Sequence, residues 1–245
     1  MRRTPRTAPL PAWLLALLAV LAAAALVAPA AAQAQGACAS DGQPRPRALL
    51  ERFIRADCAD CWQDPATARA GPRELALDWV VPGEQGEQAP LSATAREEAL
   101  DRLAQLRRRA PARAFTLRTP LLASARTLRV SHGPPVNDYI GAGIELRPAG
   151  RAPWTAWLLL VETLPAGTEG SPVERNLVRG VFQPPWEARR PPSHGEQQQL
   201  IERRPMRIPE GAQPERLRVV GWVEDARGRI RAISESRCRP VQGPP

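Results

Sequence analysis

Residues 48–61 read ALLERFIRADCADC, a short and mainly apolar segment that ends in a C-x-x-C pair. The run Ala48–Arg55 has the length of one strand and predicts a strand buried in a sheet. Cys58 and Cys61 follow it in a loop, where one thiol can attack the disulfide that the other forms. This spacing is typical of thiol–disulfide oxidoreductases. In an exported protein it can equally be a small closed disulfide, and both interpretations stay open.

The N-terminus has the three parts of a secretory signal peptide. Arginines supply positive charge within residues 2–6, residues 13–27 are continuously apolar, and small residues follow. We therefore predict a signal peptide over residues 1–34, cleaved near Ala32 or Ala34. The alternative is an uncleaved membrane anchor, because the apolar stretch approaches the ~20 residues that span a bilayer. The predicted location is periplasmic or secreted from a bacterium, with membrane contact only if this segment is uncleaved.

The basic charge of the chain does not predict a nucleic-acid partner. All 34 basic residues are arginine, the formal net charge is +9, and Pro is abundant, a combination that indicates a GC-rich genome. Binding of nucleic acid would require clustered basic residues with stacking aromatics. The densest basic run, residues 107–109, ends a predicted helix, where cations meet the negative end of the helix dipole. We therefore expect no nucleic-acid binding.

Four cysteines in an oxidising compartment predict two disulfides. Three pairings are possible, and the simplest joins Cys58 to Cys61 and Cys38 to Cys238, because neighbouring thiols find each other most easily. The second bond would then be structural. It requires the two ends of the mature chain to lie side by side.

Residues 36–112 have alternating strand and helix signals. Strands are predicted over 48–55 and 74–81, a short helix over 64–70, and a longer helix from about Thr94 to Pro111. This alternation favours parallel strands in an α/β layer.

Residues 113–240 have a different pattern, with proline- and glycine-rich connections and no convincing helix. The region is predicted to be mostly antiparallel sheet, with an irregular segment over 183–213. The predicted strands cover residues 114–117, 127–131, 139–147, 154–163, 176–182, 217–224 and 229–236.

The segment from Leu49 to Cys61 and Trp62, followed by the strand 75–81 with Asp78-Trp79, resembles the start of a thioredoxin-like domain. It is similar to a family of exported bacterial proteins of unknown function, in which a C-x-x-C thioredoxin-like half precedes a β-rich half. The resemblance implies an α+β fold. Its two parts would be a small thioredoxin-like α/β layer (36–112) and an antiparallel β-rich region (113–240).

The family has no settled activity, so the resemblance implies a fold more than a function. If the C-x-x-C pair is a redox centre, its function is thiol–disulfide exchange with an unknown protein or thiol partner, with Cys58 attacking and Cys61 resolving. Two features depart from a working thioredoxin site. The helix after Cys61 must be short, and Asp57 and Asp60 disfavour a neighbouring thiolate. The alternative function is a non-catalytic periplasmic binding or structural module with two structural disulfides.

A thioredoxin site also packs a cis-proline against its disulfide. Thr119-Pro120 and Gly133-Pro134 are the candidates for that proline here. Trp62 directly follows the cysteines, and its ring is expected to shield the disulfide in either interpretation.

Other candidate residues carry weaker signals. Ser131 and His132 are adjacent on a predicted strand and therefore point to opposite faces, which excludes a nucleophile–base pair. His132 and His194 lack ligand spacing with the cysteines, so no metal and no cofactor is predicted. Asp138 and Tyr139 lie in a turn-rich segment that can line a pocket, although a hairpin turn is the simpler interpretation.

Overall fold

The computed structural model describes residues 38–150, 153–186, 194 and 198–238. The predicted signal peptide lies outside the described residues. Helix α1 spans Ala59–Gln63 and helix α2 spans Glu98–Gln105. The strands are β1 (Cys38–Ala39), β2 (Ala48–Arg55), β3 (Glu74–Val81), β4 (Ala114–Pro120), β5 (Thr127–Val136), β6 (Tyr139–Arg147), β7 (Thr155–Leu164), β8 (Arg175–Phe182), β9 (Leu200–Arg207), β10 (Leu217–Glu224) and β11 (Ile230–Glu235).

The described strands form two sheets. One has the order β1-β5-β6-β9 and the other has the order β11-β10-β7-β8-β3-β2-β4. Strands β2 and β3 are parallel along their whole length, from Ala48 opposite Glu74 to Arg55 opposite Val81. Strand β8 adjoins β3 in parallel through the single pair Asp78 and Leu177. Every other strand pair among the described residues is antiparallel.

The predicted fold class is wrong. The chain is mostly β, and residues 36–112 do not form a separate thioredoxin-like layer of alternating strands and helices. Strands β2 and β3 instead belong to a seven-stranded sheet that also contains β7, β8, β10 and β11. A parallel layer needs crossover helices long enough to cover its faces, and α1 has only five residues.

Most predicted strands are confirmed, and the departures have local causes. The helix predicted over 64–70 forms instead at Ala59–Gln63, and Asp64 accepts from the backbone N–H of Ala66 in a turn. The segment predicted to be irregular contains β9, an edge strand that pairs with β6. Its sequence, Leu-Ile-Glu-Arg-Arg-Pro-Met-Arg, carries three arginines and a proline, as edge strands often do.

Each face of the seven-stranded sheet buries a different core. One face packs against α2 through residues such as Leu49, Phe53 and Trp79. The opposite face of β7 and β10 packs against the four-stranded sheet. The opposite face of β2 and β3 packs against the segment that contains α1, through Ile54 and Val80. Neighbouring residues on β2 therefore face different cores, as strand geometry requires.

The two sheets approach each other closely at Gly221 on β10. A Cβ atom there would lie 2.8 Å from Cγ1 of Val130 and 3.1 Å from Cδ1 of Ile144. The glycine is therefore required by close packing of the sheets.

Candidate functional site

The C-x-x-C loop follows the carboxyl end of β2, and both of its cysteines are in a disulfide. Cys58 is the N-cap of α1 and is bonded to Cys61. The backbone N–H of Cys58 donates to the carbonyl of Arg55, and that of Cys61 donates to the carbonyl of Cys58. Cys58 is only 7% exposed. The predicted Cys58–Cys61 disulfide is confirmed, and protein atoms largely cover the sulfur that was predicted to attack.

A buried carboxylate and two guanidinium groups lie next to this loop. Asp78 on β3 accepts a 2.5 Å hydrogen bond from Nη2 of Arg52 and a 3.1 Å bond from Nη1 of Arg175. The backbone N–H of Asn176 donates to the same carboxylate at 2.7 Å. We call Arg52, Asp78 and Arg175 the Asp78 cluster. All three are buried, so each charge depends on the others for compensation.

Arg175 connects the Asp78 cluster to the C-x-x-C loop. Its Nη2 donates to the carbonyls of Trp62 at 2.6 Å and Cys61 at 3.3 Å, near the C-terminus of α1. Its guanidinium carbon also lies 4.9 Å from the centre of a Trp62 ring, whose Nε1 donates to the Glu169 carbonyl. Burial lowers the pKa of Arg175, and the Asp78 carboxylate opposes that shift. The loop is thereby held in one position by a buried cation.

The two carboxylates that flank Cys58 have different environments. Asp57 accepts from the backbone N–H groups of Glu84 at 2.7 Å and Gln85 at 3.2 Å, and lies 3.7 Å from Nε of Arg55. Asp60 is 89% exposed. Asp57 therefore links the C-x-x-C loop to the segment after β3, whereas Asp60 faces solvent.

Neither proline considered for a thioredoxin-type cis-proline has that role. Pro120 pairs with Ala48, at the end of β2 farthest from the cysteines. Gly133 and Pro134 lie in the four-stranded sheet. Among the described residues, the peptide bond before Pro148 is the one cis bond. The structure therefore brings neither candidate to the C-x-x-C disulfide in the cis form.

The described residues form an open cleft of about 830 Å³. Four arginines line it: Arg96, Arg179, Arg204 and Arg207. Apolar atoms of Val181, Phe182 and Met206 line the same cleft. We call this feature the arginine cleft. A cleft with several cations and an apolar wall fits a ligand that combines an anionic group with an apolar part.

The arginines of this cleft differ in how they are compensated. Arg179 is buried and bonded to Glu162 through Nε at 2.7 Å. Arg204 lies 4.3 Å from the ring centre of Phe182. The Nε of Arg96 is buried without a hydrogen-bond partner among the described residues. Burial lowers the pKa of Arg96. The negative charge of Glu98 opposes this shift, and the positive charge of Arg179 adds to it.

The second disulfide joins Cys38 to Cys238, as the sequence predicted. Ala39 pairs with Arg237, so the two ends of the described chain lie side by side as that bond requires. His132 is buried beside this disulfide, and burial lowers its pKa. Residue spacing in the sequence does not indicate this contact, because it comes from strand pairing between distant segments.

Asp138 and Tyr139 lie where β5 turns into β6. Asn137 and Asp138 both have positive φ, which is typical of a tight hairpin turn. Tyr139 is 48% exposed, and neither residue lines the arginine cleft. The four cleft arginines carried no motif in the sequence, where arginine is common throughout, and Arg204 and Arg207 lie in the segment that was predicted to be irregular.

Comparison with known proteins adds no family to these observations. No family model, curated protein or solved structure matches the chain. The described part of the chain contains no helix with the length and hydropathy of a membrane span. The two disulfides are compatible with an exported protein.

Proposed function

We propose that this chain is an exported, non-catalytic binding protein whose ligand occupies the arginine cleft. Its signal peptide is residues 1–34, and its location is periplasmic or secreted. Both disulfides are structural in this proposal. The ligand class is a small molecule with a phosphate, sulfate or carboxylate group attached to an apolar or aromatic part.

The composition of the arginine cleft carries this proposal. In the part of the chain that the structure describes, the cleft is lined by four guanidinium groups and by only two carboxylates, those of Glu98 and Glu210. Guanidinium groups bind phosphate and carboxylate oxygens through paired N–H donors. Among the described residues, Nε of Arg96 has no hydrogen-bond partner. Phe182 and Met206 supply apolar contacts for the rest of the ligand.

Thiol–disulfide exchange at Cys58 and Cys61 stays a prediction, and the loop geometry favours it less. An attacking sulfur must reach a substrate disulfide, and Cys58 is largely covered. The carbonyls at the end of α1 are already bonded to Arg175. This environment is typical of a disulfide that fixes a loop.

The binding proposal is tested by calorimetric titration with phenyl phosphate. Replacing both Arg204 and Arg207 by Met is expected to weaken binding at least about tenfold, because charged hydrogen bonds contribute roughly 1.5–3 kcal/mol each. The control is Arg113→Met, which removes a 68% exposed arginine outside the cleft and leaves the affinity unchanged. Equal affinity in the double variant and the control would contradict the proposal, as would no binding by the unmodified protein.

The structural role of the C-x-x-C disulfide is tested with the Cys58→Ser/Cys61→Ser double variant. It is expected to bind phenyl phosphate with unchanged affinity and to unfold at a lower urea concentration. An insulin-reduction assay accompanies the titration. If the unmodified protein reduces insulin and the double variant does not, the exchange function is correct and the non-catalytic proposal is wrong.

A further inference from the structure

Strand pairing brings a histidine and two cysteines from distant parts of the chain into one cluster. Cys38 on β1 is the register partner of His132 on β5. The adjacent pair Ala39 and Arg237 places Cys238 on the other side of Cys38. The two sulfurs and a ring nitrogen of His132 all lie within 4.8 Å of one another. Nε2 of His132 is 3.9 Å from Sγ of Cys238.

The composition of the chain makes this cluster informative. The whole sequence has only four cysteines and two histidines, and three of these six residues meet here. The disulfide explains why Cys38 and Cys238 are adjacent. It does not require a buried imidazole beside them, since an apolar side chain would pack there without a hydrogen-bonding requirement.

The other nitrogen of His132 is held by a buried hydroxyl. Nδ1 lies 2.7 Å from Oγ of Ser236, which is fully buried. That Oγ also accepts from the backbone N–H of Val219 and lies 3.2 Å from the Val219 carbonyl. The carbonyl can accept the hydroxyl proton, which lets Oγ accept from Nδ1–H and leaves the lone pair on Nε2. Metal-binding histidines are oriented by this kind of contact at their second nitrogen.

We propose that Cys38, Cys238 and His132 form a zinc site once their disulfide is reduced. A dithiol reductant supplies two electrons and two protons, becomes a disulfide itself, and converts Cys38–Cys238 into two thiols. Zn²⁺ then displaces both thiol protons and binds the two thiolates and Nε2 of His132. Zinc bonds of about 2.0–2.3 Å place tetrahedral ligands roughly 3.5–3.8 Å apart, close to the present spacing of Nε2 and Cys238.

The surroundings of the cluster fit an accessible site. Cys238 is exposed, so one ligand of the proposed site lies at the protein surface. Water can therefore complete the tetrahedron as the fourth ligand. The metal would join the same chain ends that the disulfide joins. This site is independent of the arginine cleft.

The proposal is tested on the Cys58→Ser/Cys61→Ser variant, which lacks the other dithiol. The protein is reduced with a phosphine, which is then removed. Titration with Co²⁺ follows, because the absorption of bound Co²⁺ reports thiolate ligands and tetrahedral geometry. The Zn²⁺ affinity is measured by competition with a chromophoric chelator. One equivalent of metal is expected, and none before reduction. Adding His132→Gln is expected to lower the Zn²⁺ affinity at least tenfold and to change the cobalt spectrum. Ser236→Ala is expected to lower the affinity about tenfold.

His194→Gln is the matched control, because it removes the other histidine and should leave affinity and spectrum unchanged. Circular dichroism of each reduced variant establishes that it is folded. If His132→Gln does not fold, the Zn²⁺ affinity of Ser236→Ala tests the proposal instead. Tight binding that neither variant weakens would mean that two thiolates alone chelate the ion, and the proposal would be wrong. Absence of one-equivalent binding by the reduced protein would also overturn it.

Discussion

Two buried charge clusters lie on opposite faces of the seven-stranded sheet. The central group is an anion in one cluster and a cation in the other. The Asp78 cluster has one carboxylate between two guanidinium groups. On the other face, Arg102 of α2 bonds Glu51 through Nε and Nη2, each at 2.8 Å, and Glu224 through Nη1 at 2.7 Å. We call Glu51, Arg102 and Glu224 the Arg102 cluster. Its one guanidinium lies between two carboxylates.

The two clusters meet at β2, where Glu51 and Arg52 are neighbours in sequence. Because successive strand residues point to opposite faces, Glu51 faces α2 and Arg52 faces the segment that contains α1. Each cluster thus attaches a short helix to the same sheet. Helices of five and eight residues are too short to be stable on their own in water, so they depend on tertiary contacts such as these.

Aromatic rings complete both clusters in a similar way. The guanidinium carbon of Arg102 lies 5.1 Å from the ring centres of both Trp157 and Trp222, and Nε1 of Trp222 donates to Glu224. Arg175 lies against Trp62. The two carboxylates raise the pKa of Arg102, although its burial acts in the opposite direction. Charge compensation is therefore more complete for Arg102 than for Arg175, whose pKa is lowered.

The largest expected effect comes from removing the central charge of either cluster. Asp78→Asn leaves two buried guanidinium groups uncompensated, and Arg102→Met leaves two buried carboxylates. Each variant is expected to lose about 3–5 kcal/mol of unfolding free energy, the usual cost of breaking a buried ion pair. Urea denaturation followed by tryptophan fluorescence measures it. A loss below about 1 kcal/mol in either variant would show that its cluster does not fix its helix.

Removing one outer charge is expected to cost less, because the central residue keeps a partner. Arg52→Met leaves Asp78 bonded to Arg175, and Glu224→Gln leaves Arg102 bonded to Glu51. Both variants are expected to lose roughly 1–3 kcal/mol in the same denaturation experiment. Arg52→Met should cost more, since Arg52 also donates to the carbonyls of Ala68 and Glu174. The opposite order would mean that charge balance, and not the number of hydrogen bonds, decides the cost.

The sequence predicted the strands next to these clusters but not the clusters themselves. The apolar runs 48–55 and 74–81 gave β2 and β3 with correct bounds. The parallel pairing of these strands follows from the connection between them. Their place in a mixed sheet does not follow, because it depends on the antiparallel pairing of β2 with β4 and on the parallel pairing of Asp78 on β3 with Leu177 on β8. The thioredoxin-like interpretation was wrong at this long-range step.

The cysteine pairing was predictable, and the site residues around it were not. An even count and a C-x-x-C spacing made the observed pairing the simplest of the three that are possible. Arg175 lies 114 residues from Cys61, and His132 lies 106 residues from Cys238. No local pattern marks either residue, since arginine is frequent in this chain and the histidine stands in an ordinary alternating strand. Such contacts follow from sheet register, which a single sequence determines poorly.

The smallest loss of unfolding free energy is expected when an ion pair on the surface is removed. Comparing this loss with the losses in the two clusters shows how much burial matters. Asp225 in the β10–β11 turn accepts from the side chain of Arg229 and from the backbone N–H groups of Arg227 and Arg229, and Arg231 lies 3.3 Å away. Although burial alone would raise it, these hydrogen bonds lower the pKa of Asp225 from 3.8 to about 2. The stabilising contribution is therefore complete above the unfolded value of 3.8 and is lost as pH falls towards 2.

Asp225→Asn is accordingly expected to cost less than about 1 kcal/mol near neutral pH, and progressively less as pH falls through about 2. Urea denaturation of both proteins at several pH values between about 2 and 7 measures the difference, and an NMR titration of the carboxyl carbon reports the pKa directly. A cost that equals that of Asp78→Asn, or that does not decrease as pH falls towards 2, would contradict the view that burial separates the two clusters from surface ion pairs. Surface pairs lose little when broken because water replaces the missing partner, whereas Asp78 and Arg102 are buried.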